Sequence, residues 1–239
     1  MTKFATNIKH LRDMKEINYK EMKFNPFNLI GGEWMLVTAG DENSCNTMTA
    51  SWGHLGCLWG HNDPTAVIYL RPSRYTKEFV DAEGYFSLCV MDKSFKKQMA
   101  YLGSVSGRDE DKIGKAGLTP VYADNTVYFE EAKLVLVCKK LYQSELQESG
   151  FLYQDTVDAN YPQRDFHTMY VSKIEKVLVR NDEYLKHNMP ITQTHKVVKF
   201  MVYDRMARKG SSAYSPKSHS ASHFEGHYVE NGPIITAST

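Results

Sequence analysis

At 239 residues and 42% hydrophobic composition, the chain is long enough to bury one medium-sized core. Its 29 Lys plus Arg against 28 Asp plus Glu leave a net charge of +1, which argues against nucleic acid or an anionic membrane as the main partner, because both select a basic face. No apolar run reaches bilayer-spanning length, and the polar first 20 residues carry no apolar signal core, so a cytoplasmic location is expected.

Residues 1–24 read as an N-terminal arm, with a helix expected over 7–17. A turn-rich stretch, 26–32, leads to an apolar strand at 33–39 (EWMLVTA) and a turn at 41–44. Residues 45–52 (CNTMTASW) alternate as a half-buried strand does. A more hydrophobic strand at 65–70 ends at Arg71-Pro72. Ser73 then occupies an N-cap position, and a helical pattern runs from Arg74 through Phe79 and Val80. Another strand is expected at 85–91, then a helix capped by Ser94 and running to about Leu102. A glycine-serine loop over 103–109 precedes a short helix, capped by Asp109, that ends near 114–117.

Strands follow at 127–129 and 132–141, then an irregular excursion at 145–164 with Tyr161-Pro162 as a breaker. Residues 166–179 form the last strand pattern, with a bulge expected. Many strands and few short helices predict a mainly β, closed or nearly closed antiparallel barrel. A doubly wound parallel sheet needs a helix between most strands, and no G-x-G-x-x-G follows a strand.

Residues 181–239 form a C-terminal extension. Residues 195–203 suit either strand or helix, and 210–239 are rich in Ser, His and Gly, expected to be flexible and to build no core. His219, His223 and His227 recur every four residues, but the surrounding composition forms helix poorly, so no metal is expected. Cys45, Cys57, Cys89 and Cys138 are scattered without C-x-x-C spacing and read as reduced thiols, with Cys89 and Cys138 inside apolar strands.

Four constellations carry chemistry. Arg71, Ser73, Arg74 and Thr76 place two guanidiniums and two hydroxyls at a helix N-terminus, where free N–H groups and the dipole favour a phosphate monoester. The plain alternative is a capped helix with solvated arginines. Residues 46–53 are small and hydroxylated, which lets a flat ligand approach the backbone. Thr49 and Ser51 are expected on one face, and Trp52 and Trp59 suit stacking, core or interface equally. Ser106-Gly107-Arg108-Asp109 followed by Lys112 makes a tight basic loop; a solvated surface loop is the bland reading. His167, beside Asp165, is either a proton donor or ligand contact, or a structural histidine.

In this order the segments resemble the flavin reductase-like family, the FMN-binding split barrels that include flavoredoxin. The resemblance spans about residues 25–180. It rests on NPFNLIGGEWMLVTAGD, NTMTASWGHLGCLW, YLRPSRYTKEF, LGSVSGRDEDKIGKAGLTP, FEEAKLVLVCKKLY and DFHTMYVSKIEKVLV. It implies a homodimeric FMN-binding split β-barrel of Greek-key type. Ring and ribityl contacts would fall on Thr49, Ala50, Ser51 and Trp52, and the phosphate site on Arg71, Ser73, Arg74, Tyr75 and Thr76. Ser106, Gly107, Arg108, Asp109 and Lys112 would close over the flavin, and His167 would stand at the nicotinamide or flavin edge. One departure is Ser172-Lys173-Ile174, where the family often carries Gly-Glu before the isoleucine.

The resemblance implies an NAD(P)H-dependent flavin reductase, with NADH or NADPH as electron donor, or a flavoredoxin-like electron carrier with a redox protein partner. Flavin chemistry needs no side-chain nucleophile. Two other readings share the pocket. One is a non-enzymatic FMN-binding sensor or store. The other is a split-barrel oxidase of a phosphorylated pyridoxal-type substrate.

Overall fold

The computed structural model describes residues 13–188, with side chains as far as Tyr184. The readings on 195–203 and on His219, His223 and His227 lie outside the described residues, as does the first half of the expected helix at 7–17.

The described chain holds ten strands: β1 Met14–Ile17, β2 Met35–Gly40, β3 Cys45–Ala50, β4 Gly53–Cys57, β5 Pro64–Leu70, β6 Tyr85–Met91, β7 Pro120–Ala123, β8 Thr126–Phe129, β9 Ala132–Glu145 and β10 Thr168–Arg180. The helices are short: α1 Tyr75–Ala82, α2 Lys96–Ser104, α3 Lys112–Lys115, α4 Gln154–Asn160 and α5 Asn181–Asn188.

The main sheet is antiparallel, in the order β3-β2-β6-β9-β10-β5-β4, with β1 pairing the far end of β10. Its terminal strands, β3 and β4, do not pair with each other, although only Ser51 and Trp52 separate them in sequence. The barrel is therefore split, and the split lies at Ser51-Trp52. β10 carries register shifts at Val171/Ser172 and Ile174/Lys176, the irregularity its sequence suggested.

The apolar runs are continuous because both sheet faces are covered. Met35, Val37 and Ala39 of β2 face one cluster with Phe86, Leu88, Leu136 and Tyr170, while Leu36 faces a second with Met99, Leu102, Phe129 and Val135. This is the period-2 alternation of a strand with an apolar partner on each side. The polar residues among them pair internally: Thr38 and Thr47 share a 2.8 Å hydroxyl contact, and Ser87 donates to the Val127 carbonyl.

Several local readings shift. Residues 14–17 are a strand on β10, not helix, because their intermediate-exposed-exposed-intermediate side chains line a sheet edge, not a helical stripe. The N-cap of α1 is Arg74, not Ser73, and no side chain caps it. Asp92, not Ser94, precedes the turn Lys93–Phe95 that leads into α2. Asp111, not Asp109, caps α3 by accepting from the Gly114 N–H. β4 and β7 were not foreseen, since Gly53, Gly56 and Pro120 dilute their strand signal. β7 and β8 join through Asp124-Asn125, both at positive φ, as a two-residue primed turn requires.

Candidate functional site

Two cavities lie beside the stretch 48–55. The smaller, about 110 Å³, lies where the start of α1 meets the end of α2. Ser73, Arg74, Tyr75 and Thr76 form one wall, Ser104, Val105 and Ser106 the other, and Met48 and Lys112 complete it. Free N–H groups belong to the first turn of any helix, and here no side chain takes them.

Lys112 decides the character of this cavity. It is 4% exposed, and Nζ donates to the carbonyls of Leu102 (3.2 Å) and Val105 (3.1 Å). Burial, with Arg74 beside it, pulls its ammonium pKa down to about 8. Among the described residues Arg74 donates only to the Gly103 carbonyl, at 3.2 Å. Among the described residues, neither cation has a carboxylate within ion-pair distance. Two close cations without a counter-ion, one of them buried, cost free energy that a bound anion recovers.

The Ser106–Lys112 loop is bound to α1. Arg108 pairs with Glu78, donates to the Ser73 carbonyl at 3.4 Å and lies 4.6 Å from the Tyr75 ring centroid. Gly107 fits because a Cβ there would sit 2.2 Å from Oδ1 of Asn46, whose Nδ2 donates to Thr76 at 2.8 Å. Asp109 is exposed and stands outside the cavity lining.

The larger cavity, about 660 Å³, opens at the split. Pro26, Phe27, Ile30, Gly31, the Ser51–Leu55 stretch, Tyr69, Leu146 and Tyr161 line it. Ser51 and Trp52 line it. Thr49 does not share their role, because its hydroxyl donates to the Met99 carbonyl at 2.5 Å, and Ala50 is buried in the barrel core. His167 is buried behind this wall, its ring 4.9 Å from Trp52 and its Nδ1 2.8 Å from the Tyr161 hydroxyl. Burial first, and Arg71 second, depress its pKa to about 4. Tyr161 was read only as a chain breaker; its place in a wall 106 residues from Leu55 has no local signal.

Arg71 departs furthest from expectation. It does not line the small cavity. Its guanidinium pairs with Asp165 at 2.6 Å and donates to the Asn160 carbonyl at 2.8 Å. Tyr75, Thr76 and Ser106 line the small cavity.

A third cavity of about 290 Å³ lies under the arm, between residues 17–25 and the β9–β10 region. Glu21, Glu33 and Glu183 border it, and its Lys133 is already paired with Glu33 at 2.5 Å, so it offers no comparable anion site. Among the described residues no group of three or more His, Cys, Asp or Glu could hold a metal, and no helix is long and apolar enough to cross a membrane.

A profile of the flavin reductase-like domain matches residues 27–204. An uncharacterized protein, YddH of Escherichia coli K12, is 32% identical over 92 residues, which cover 38% of this chain and 47% of that protein. The match thus spans about half the length of the curated relative. Among solved structures, an FMN-binding domain of a flavin reductase-like enzyme from Shewanella baltica superposes with a TM-score of 0.51 at 16% identity, over 70% of this chain and 78% of that one. An FMN-binding protein from Thermus thermophilus with bound 1-cyclohex-2-enone gives 0.50 at 20% identity, over 71% and 82%. At these identities the likeness is one of fold.

Proposed function

The chain belongs to the flavin reductase-like family, and from that premise we propose that it binds FMN non-covalently and works as an NAD(P)H-dependent flavin reductase or a flavoredoxin-like electron carrier. The observation that carries the reading is the small cavity with its uncompensated pair, Lys112 and Arg74. Its size and hydroxyl lining suit one phosphate group. Arg74, Lys112, Ser73, Thr76 and the first-turn N–H groups of α1 would hold it, with Arg108 closing the loop over α1.

The large cavity suits the planar ring. Trp52 and Tyr161 offer aromatic walls and Ser51 a hydroxyl at the mouth. When bound, FMN would supply the redox chemistry, accepting and passing on electrons. The protein's share is to hold the phosphate, fix the ring and keep water off it. His167 supports that wall from behind and keeps its imidazole neutral.

A homodimer is part of the proposal. Leu152 (90% exposed), Phe27 (86%), Tyr153 (74%) and Trp59 (65%) are large apolar groups left in solvent, and Phe27 borders the large cavity. A second copy covering them would complete that cavity.

The absorption spectrum of the purified protein, with FMN and riboflavin titrations, tests the cofactor. NADH and NADPH oxidation with free flavin then tests the reductase. Flavin bound without pyridine-nucleotide oxidation would favour the carrier, and failure to bind any flavin would refute the whole reading.

A further inference from the structure

The excursion at 146–166 is a strap with a core of its own. Val157, Tyr161 and Phe166 pack with Leu146 and Phe151, apart from both clusters of the barrel. Its other ion pairs are internal, Arg164 to Glu148 at 3.1 Å and to Asp158 at 3.2 Å. Among the described residues, the one ion pair between strap and barrel is Arg71 to Asp165, across 94 positions of sequence.

We propose that Arg71 is a positioning residue, a latch that holds the strap against the barrel and so sets the Tyr161 wall of the large cavity, and not a ligand of the anion in the small one. Its guanidinium is taken up three ways. One nitrogen meets Asp165 at 2.6 Å, another meets the Asn160 carbonyl at 2.8 Å, and the plane lies 5.2 Å from the Tyr161 ring centroid. Asn160 ends α4 and Tyr161 follows it, so Arg71 grips the point where the strap turns back toward β10. The grip on Asp165 is strong enough to hold that carboxyl below the usual carboxylate range. Arg74 and Lys112, three and 41 residues on, are the cations left for the anion. The turn after β5 thus serves both cavities with different residues: Arg71 points to the strap, Ser73 and Arg74 to the pocket.

The inference rests on the flavin reading for its second arm only. The first arm is hydrogen exchange of ligand-free protein, wild type against Arg71→Ala, Asp165→Asn and the double variant. The latch predicts exchange over 151–161 faster by roughly ten- to a hundredfold in each single variant, with no further gain in the double, while β6 and β9 stay protected. The second arm compares FMN with riboflavin. The latch predicts that Arg71→Ala and Asp165→Asn change the two affinities by the same factor. Unchanged strap exchange in both single variants overturns the proposal. So does a loss of FMN, but not riboflavin, confined to Arg71→Ala, since that returns Arg71 to the phosphate. Should Arg71→Ala fail to fold, Asp165→Asn and Arg71→Lys carry both arms. A wild-type chain that binds neither flavin removes the flavin reading, and exchange alone then decides the latch.

Discussion

The Tyr161 hydroxyl lies 2.8 Å from Nδ1 of His167, and both side chains are buried. A hydroxyl and an imidazole nitrogen at that distance share one proton between two buried groups, which favours the neutral ring. The pair ties the base of the strap to the residue just before the strand that follows it.

His167 should therefore not titrate near neutrality. Its folded pKa of about 4 lies below its ordinary value of 6.5. Between those limits the unfolded chain binds more protons, so stability rises with pH across about 4 to 6.5 and is lost on acidification through the same window. Histidine NMR resonances followed from pH 4 to 8 check this. A midpoint above 6 contradicts it. Arg71→Ala should move the midpoint upward, because Arg71 is the second cause of the depression.

Lys112 should behave in the opposite direction toward an anion. Its charged form is the binding form, and burial sets its pKa at about 8 in the ligand-free protein. FMN affinity should be flat below that pH and fall above it, by up to about tenfold per unit. Riboflavin, lacking the phosphate, should show no such slope. Lys112→Met should weaken FMN by roughly ten- to a hundredfold and spare riboflavin. Fluorescence titrations at pH 7 and 9 measure both.

Arg180, 9% exposed, closes β10 with contacts to Asp92 (2.8 Å), Asp182 (2.6 Å) and the Glu131 carbonyl. A chain cut after residue 180 removes Asp182 and Glu183 and leaves a buried guanidinium short of two carboxylates, at a cost of about 1–3 kcal/mol. A chain cut after 188 keeps the pair. Urea unfolding of the two truncations should show the shorter as the less stable; equal midpoints would contradict this.

Dimerisation can be separated from flavin binding. Trp59→Asp and Leu152→Asp place charge on exposed apolar side chains far in sequence from the small cavity. Each should shift the protein from dimer to monomer in light scattering at micromolar concentration, with folding intact by circular dichroism. A wild-type chain that is monomeric under those conditions rules out the dimer.

The barrel was legible because its strands are long, apolar and bounded by turn formers, as at Tyr85–Met91 and Ala132–Glu145. The small cavity was legible for the same local reason: Ser73 to Thr76 are contiguous, and Ser106 to Lys112 nearly so. What escaped was non-local or weakly patterned. Gly53–Cys57 is a strand because β5 and the cavity demand it, not because its residues favour one. Arg71 looks identical to Arg74 in sequence, and distant partners tell them apart: Asp165 and the Asn160 carbonyl for Arg71, the Gly103 carbonyl for Arg74. Which of Asp109 and Asp111 caps α3 is a matter of two residues that spacing alone does not resolve.

The last strand has a consequence for how the chain is made. β10 pairs with β9 on one side and with β5 and β1 on the other. Until residues 168–180 have left the ribosome, the β4–β5 hairpin and the first strand have no place in the sheet, and β9 has an open edge. The earlier strands β2, β3 and β6 can associate with one another but cannot close the barrel. Folding of the whole thus waits on the last eighth or so of the described chain, and its pairings span the longest separations among the described strands. Such topologies fold slowly, in milliseconds to seconds, and their half-built sheets expose edges that recruit other chains. Synthesis of this protein therefore passes through its most aggregation-prone state just before β10 emerges.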